Sequence, residues 1–257
     1  MKVLTLFLTK DESTFIQENY ERAKNQKDVD QEVYVISAKP IYIKNNIVIQ
    51  VSQSLPVPVR IGLSIRNALK KIDVKSYTHI FKVDGDIKLP LDYLSNLLDK
   101  KTPVAGIGPA LLISVPFFID KMLGEYPINY CDDGYISAFY TSVVGNLPLG
   151  YDGDEVIGTL PNPVSKKIEY SYGIEYYKWG LPLKILLLNR LIFILGKPLE
   201  GLKSIVYCTA GYISAVVKKY KCYNWWKDYK RFSMSPLSWK TYLLKIKKLR
   251  PLHRIVK

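Results

Sequence analysis

The chain has 257 residues, 48% of them apolar, which is enough for a packed core and too apolar for a disordered chain. Its formal charge of +14 is unevenly placed: residues 1–163 hold 17 Lys/Arg against 19 Asp/Glu, and residues 164–257 hold 20 against 4. With only His79 and His253, and with Cys131, Cys208 and Cys222 out of any ligand spacing, a zinc centre or a Ser-His-Asp machine has almost no raw material, and a reducing compartment is expected.

In chain order, Val3 to Leu8 is a continuous apolar, β-prone run. It predicts a strand covered on both faces, not a signal peptide, because the run is short and ends in charge. A helix is predicted over Asp11 to Lys27, with Ser13 or Thr14 as its cap and Phe15, Ile16, Tyr20 and Ala23 at helical spacing. Glu32 to Ser37 reads as a second strand, and this β-α-β opening points to a parallel sheet. Ile47 to Val51 reads as a further strand inside the polar excursion Lys39 to Pro58. Ile61 to Ile72 carries Ile61, Ile65, Ala68, Leu69 and Ile72 on one helical stripe, with Arg66, Lys70 and Lys71 off it. His79 to Val83 is an apolar strand, and Leu89-Pro90 opens a helix over Leu91 to Leu98. Val104 to Gly108 and Ala110 to Val115 suggest strand and turn, and Tyr135 to Val144 a helix stopped by Gly145.

Pro161-Asn162-Pro163 coincides with the change in charge, so a module boundary is expected there, giving 1–163 and 164–257. Beyond it, Leu181 to Leu195 and Leu202 to Val217 predict helices that lie on a bilayer or against the core. Neither run reaches the ~18 uninterrupted apolar residues of a spanning helix, and Lys184, Asn189, Arg190 and Lys203 interrupt or flank them. Tyr170, Tyr172, Tyr176, Tyr177, Trp179, Trp225, Trp226 and Trp239, set among lysines, suit a membrane interface. The basic segment seeks phosphate, on lipid headgroups ahead of nucleic acid.

Three acidic motifs stand out. Asp84-Gly85-Asp86 ends the strand His79 to Val83, where an open parallel sheet gathers its ligands. Two hard oxygen ligands at i, i+2 on one side would hold Mg²⁺ or Mn²⁺, and Gly85 would let a phosphate approach; the alternative is a simple Asp-Gly turn. Asp152-Gly153-Asp154 follows a stretch broken by Pro148 and Gly150 and reads as a turn. In Cys131-Asp132-Asp133-Gly134, an aspartate is either the N-cap of the next helix or a general base. Lys82 interrupts the apolar strand, either to touch phosphate or because that strand is less buried.

The order of RIGLSIRNALKKI, THIFKVDGDIKLPLDYLSNLL and CDDGYISAFYTSVVGNLPL, after the opening VLTLFL, resembles family-2 glycosyltransferases of the GT-A fold over roughly residues 1–160. The resemblance implies an α/β architecture, a Rossmann-like and mostly parallel sheet flanked by helices, followed by a basic, aromatic-rich helical region of membrane-associating type. It implies transfer of a sugar from a nucleotide-diphosphate donor to a hydroxyl or lipid-phosphate acceptor, with inversion. Asp84 and Asp86 would hold Mg²⁺ or Mn²⁺ on the diphosphate, Asp133 would be the base with Asp132 its partner, and Arg66 would lie near the donor. A cytoplasmic enzyme, peripheral at the membrane, is the expectation. The chain departs from the family after its second strand, where Ile36-Ser37-Ala38-Lys39 replaces the usual acidic residues that read the nucleotide. Two rival readings are a sugar-nucleotide-forming nucleotidyltransferase, although LTKDEST replaces its glycine-rich loop, and a non-catalytic basic membrane- or nucleic-acid-binding protein on a similar scaffold.

Overall fold

The computed structural model describes residues 2–152, 157–158, 165–196 and 198–235. Two compact units emerge, one made of residues 1–137 and 148–161, the other of residues 138–147 and 162–257.

The first unit is built on β1 (Lys2–Leu8), whose middle residues are buried on both faces as the unbroken apolar run requires. The chain then falls short of the predicted long helix. Asp11, not Ser13 or Thr14, is the cap, and it closes only a single turn over Glu12–Thr14. α1 (Gln17–Lys24) begins after it, at Ile16, without a side-chain cap. β2 (Asp30–Ser37) and the short β3 (Asn46–Val48) follow, then α2 (Val57–Leu69), which starts four residues before the apolar stripe because Pro56 and Pro58 suit a first turn. β4 (His79–Asp84), β5 (Ile87–Lys88), α3 (Tyr93–Asp99), β6 (Val104–Ile107), β7 (Ala110–Ser114) and the start of α4 (Asp132–Val144), whose residues from 138 on belong to the second unit, complete most of the first. β8 (Ile157–Gly158) pairs antiparallel with β5 in a small second sheet.

The main sheet has the order β3-β2-β1-β4-β7-β6. β1 pairs in parallel with β2 on one side and with β4 on the other, while β7 runs antiparallel to both β4 and β6. The strand order therefore reverses direction at β1, and the crevice at the carboxyl ends of β1 and β4 is where such a sheet admits ligands. Phe7, Phe81, Tyr93, Leu94 and Leu97 fill the core on one side of these strands.

The second unit holds α5 (Lys166–Lys178), α6 (Leu183–Gly196), α7 (Pro198–Val217) and α8 (Trp226–Ser233). α5 and α7 touch backbone to backbone. A Cβ on Gly173 would stand 1.9 Å from the Cys208 carbonyl oxygen, and one on Gly211 equally close to that of Tyr170. Buried Glu169 accepts from Ser204 Oγ at 2.7 Å and pairs with Arg190 at 3.3 Å, so Arg190 is spent on the bundle interior. Several of the aromatics expected at a membrane interface pack on one another. Trp179 is buried between Tyr176 and Tyr229, Tyr177 meets Tyr212 edge-on, and Trp225 stacks on Tyr223. Among the described residues no helix is long and apolar enough to cross a membrane; Trp239 lies outside them.

Candidate active site

The site grows from the end of β4. Asp84 is the last residue of the strand, and its amide is bonded to the Pro109 carbonyl at 2.8 Å. The chain turns at Gly85 and Asp86, so Asp86 is not the i+2 partner of an extended strand that the sequence suggested. The strand's i, i+2 relation instead joins Asp84 to Lys82, and the Lys82 ammonium lies 2.8 Å from Asp84 Oδ1. Asp84 Oδ2 has no hydrogen-bond donor among the described residues.

Gly85 serves the sheet. A Cβ there would come within 2.4 Å of the Leu8 carbonyl oxygen, the same oxygen that accepts from the Gly85 amide at 2.8 Å. On its other side the Gly85 carbonyl accepts from Asn19 Nδ2 at 2.9 Å. The absent side chain is what lets the ends of β1 and β4 close on each other.

The second acidic pair sits in the first turn of α4, two and three residues earlier than the start that the apolar pattern alone marked. Neither aspartate is the cap: the Cys131 carbonyl accepts the first intrahelical bond, from the Tyr135 amide at 2.8 Å. Asp132 is buried and accepts from the Tyr126 hydroxyl at 2.7 Å. Asp133 is more open. Its Oδ1 accepts from the Gly134 amide at 2.7 Å and from Cys131 Sγ at 3.3 Å. Its Oδ2 fills the space that a side chain on Gly108 would need, 1.8 Å from an ideal Cβ position. Gly108 lies in the tight β6–β7 turn, and its carbonyl accepts from the Lys82 ammonium at 3.2 Å.

These contacts make one electrostatic unit of Lys82, Asp84, Asp132 and Asp133. Burial raises the Asp84 carboxyl to about 6, Lys82 opposes the rise, and the like charges of Asp132 and Asp133 add to it. Burial would discharge Lys82, but Asp84, Asp132 and Asp133 outweigh it and hold the ammonium charged. Tyr126 is pushed far up by burial and by Asp132, so it stays a neutral donor. Burial, with Asp133 beside it, likewise keeps the Cys131 thiol protonated.

Arg66 is neither free nor solvated. Its Nε donates to the Tyr126 carbonyl at 2.7 Å and Nη1 pairs with Glu125 at 3.3 Å, so it braces the loop that carries Tyr126. Asp152 pairs with Lys100, away from the cluster, and Asp154 lies outside the described residues. The loop after β1 is tied to itself: Asp11 accepts from Ser13 while Thr14 Oγ1 accepts from the Asp11 amide at 3.2 Å, which makes it a capped turn and not a phosphate cradle. After β2, Ser37 Oγ donates to the Lys39 carbonyl at 2.6 Å and accepts from Asn46 Nδ2 at 2.8 Å. Tyr126 and Gly108 escaped the sequence reading because a buried tyrosine and a turn glycine have no periodic signature. Only the proximity of Tyr126 to Asp132, six residues on, hinted at a link.

A divalent cation fits this donor set in one manner. Among the described residues no group of three or more His, Cys, Asp or Glu encloses a metal. Two carboxylates at a strand end suit an ion that takes its remaining oxygens from water and a diphosphate. Three acidic groups around one ammonium leave the charge for it.

No protein-family model matches the sequence, and no curated protein sequence matches it. Solved structures do. Over 98% of this chain and 87% of the other, the fold is similar to "Mannosyltransferase PcManGT from Pyrobaculum calidifontis in complex with GDP-Man and Mn2+", with a TM-score of 0.51 and 11% identity. S. aureus TarS 1-349, in complex with UDP, matches over 68% of this chain and 65% of its own, with a TM-score of 0.46 and 13% identity. The architecture is thus the expected one, a mostly parallel GT-A-type sheet flanked by helices with a helical C-terminal region.

Proposed function

We propose that this chain is a glycosyltransferase that moves a sugar from a nucleoside-diphosphate sugar to a hydroxyl or lipid-phosphate acceptor, with a divalent metal and with inversion. The observation that carries the reading is the convergence of Asp84 with Asp132 and Asp133 at the carboxyl ends of β1 and β4, around one buried cation. The mannosyltransferase of similar fold, captured with GDP-Man and Mn²⁺, supports a nucleotide-sugar donor and Mn²⁺ or Mg²⁺. We assign catalysis to residues 1–163 and surface attachment to 164–257.

Asp84 and Asp86 would hold the metal, which when bound neutralises charge growing on the leaving diphosphate. Asp133 takes the proton from the attacking hydroxyl. It is the better placed of the pair, because Asp132 is buried under Tyr126 while Asp133 is partly open. Asp132 and Tyr126 hold the start of α4 in place, and Arg66 acts on the donor side through the same loop. With a lipid phosphate as acceptor no proton need be removed, and Asp133 only positions it.

α7 supports a peripheral, cytoplasmic membrane contact. Its small residues Gly201, Ser204, Cys208, Gly211 and Ala215 face inward, while Leu199, Leu202, Val206, Ile213 and Val217 lie exposed on the opposite side. Lys203, Lys218, Lys219 and Lys221 are exposed beside them. Large apolar groups outward and lysines around them suit an anionic bilayer, at about 1 kcal/mol per lysine near the surface.

The test is a panel of nucleotide sugars assayed for Mn²⁺- or Mg²⁺-dependent hydrolysis, with Asp84→Asn/Asp86→Asn as control. Turnover that the double variant keeps, or no binding of any nucleoside diphosphate with metal present, overturns the assignment. Flotation with phosphatidylglycerol against phosphatidylcholine vesicles tests the attachment. Leu202→Asp/Val206→Asp/Ile213→Asp should sink with the unbound fraction.

A further inference from the structure

Lys82 has no part in the reaction just described, and its position is costly. It is 3% exposed in the middle of the sheet, between Leu6 of β1 and Leu111 of β7, where the strand pattern calls for an apolar side chain. A buried ammonium persists only with partners, and this one has two of different origin. One is Asp84 Oδ1 at 2.8 Å, on the end of its own strand. The other is the Gly108 carbonyl at 3.2 Å, in the β6–β7 turn against which the Asp133 carboxylate is seated. Lys82 therefore stands at the one point where the strand-end aspartate and the helix-start aspartates are joined through a single group.

We infer that Lys82 is a positioning residue whose ammonium fixes Asp84 and, through Gly108, seats Asp133, so that the metal-binding carboxylate and the base are held in register before any metal or donor arrives. Two consequences follow from the geometry. By engaging Oδ1, Lys82 leaves Asp84 the Oδ2 oxygen to offer a metal. As the resident cation, it relieves the repulsion among Asp84, Asp132 and Asp133, which carry like charge into a partly buried space. Removing the ammonium while leaving the carboxylates sets Asp84 free to rotate, which weakens the site.

This inference rests on the metal assignment, and the experiment separates the two. Mn²⁺ alone is titrated into the donor-free full-length protein and followed by electron paramagnetic resonance, for wild type and for Lys82→Met, with folding checked by circular dichroism. Wild type should take up Mn²⁺, and folded Lys82→Met should bind it at least tenfold more weakly. No uptake by wild type removes the metal assignment and this inference with it. Uptake with equal or greater affinity in folded Lys82→Met overturns the role of Lys82 alone. If Lys82→Met does not fold, wild-type protein labelled with ¹⁵N-lysine decides: the slowly exchanging ammonium signal of Lys82, identified by its displacement in Asp133→Asn, should move when Mg²⁺ is added. An ammonium signal that no Mg²⁺ concentration moves, in protein that takes up Mn²⁺, overturns the inference.

Discussion

The two ends of the same parallel strands carry the same residue types and use them in opposite ways. At the amino ends of β1, β2 and β4, Glu32 accepts from Lys2 at 2.7 Å, from the Tyr77 hydroxyl at 2.8 Å and from the Tyr34 hydroxyl at 2.9 Å. Those three donors, Lys2 first, pull its carboxyl down to about 2. At the carboxyl ends, Asp84 also has a lysine at 2.8 Å, yet its carboxyl is pushed up to about 6, because burial and two further carboxylates outweigh that one partner. The first is a satisfied acid beside solvent; the second is an acid held short of cations. An open hollow of about 580 Å³ lies at the amino ends, lined among others by Lys75, His79 and Asp120, but a single carboxylate there is no match for a diphosphate's metal. What separates a structural ion pair from a candidate site is an excess of one charge in a place water reaches poorly.

The largest expected effect breaks that comparison outright. Asp84→Asn/Asp86→Asn should abolish metal-dependent donor hydrolysis, a loss of about a thousandfold or more if the metal supplies several kcal/mol of transition-state stabilisation. Glu32→Gln, at the other end, should leave turnover unchanged. Next comes Asp133→Asn, expected to lower kcat by about 10²–10⁴ while nucleoside-diphosphate binding with Mn²⁺ persists. A much smaller loss with a lipid-phosphate acceptor, whose attacking oxygen carries no proton, would sharpen the acceptor class.

The ends should also answer pH in opposite senses. Glu32 is depressed when folded, so the stability it contributes is complete above its ordinary value of 4.5 and is lost as pH falls through about 2. Asp84 is raised when folded, from 3.8 to about 6, so its protonated form favours the fold at low pH and that benefit is lost as pH rises through about 6. A metal needs the ionised form. Mn²⁺ affinity should therefore weaken as pH falls below about 6, while acid unfolding below 4.5 should lose part of its pH dependence in Glu32→Gln. Mn²⁺ affinity that stays flat from about pH 5 to pH 7 would contradict the Asp84 environment.

Much of the sheet was legible because burial on both faces writes itself as an uninterrupted run, as in Val3 to Leu8 and His79 to Val83. Helix starts were not, since α2 opens on prolines outside its stripe and α4 opens on the acidic pair itself. The strand-end position of Asp84 could be read from the sequence. Its true i, i+2 neighbour could not, because spacing alone treats Asp86 and Lys82 alike, and only the turn at Gly85 tells them apart. The aromatic wealth after residue 164 was legible only in part for a related reason: composition records that rings and lysines are near in sequence, not whether the rings meet one another, as Tyr176 and Trp179 do. Arg66 and Tyr126 join across sixty residues through a backbone carbonyl, a kind of contact that side-chain identity cannot announce.

The smallest effect is the cleanest, because one substitution can be made at both ends. Tyr126→Phe removes the hydroxyl that donates to buried Asp132, and Tyr77→Phe removes one of three donors to Glu32. Asp132 loses a partner in a place water does not readily replace, so the first change should cost about 2 kcal/mol of stability. It should also lower turnover, because the start of α4 is what seats Asp133. Glu32 keeps Lys2 and Tyr34 and is reached by solvent, so the second should cost about 1 kcal/mol or less and leave turnover alone. Denaturant midpoints and kcat for the two variants give four numbers. If Tyr77→Phe proves the more damaging to turnover, the carboxyl ends of the strands are not where this chain does its chemistry.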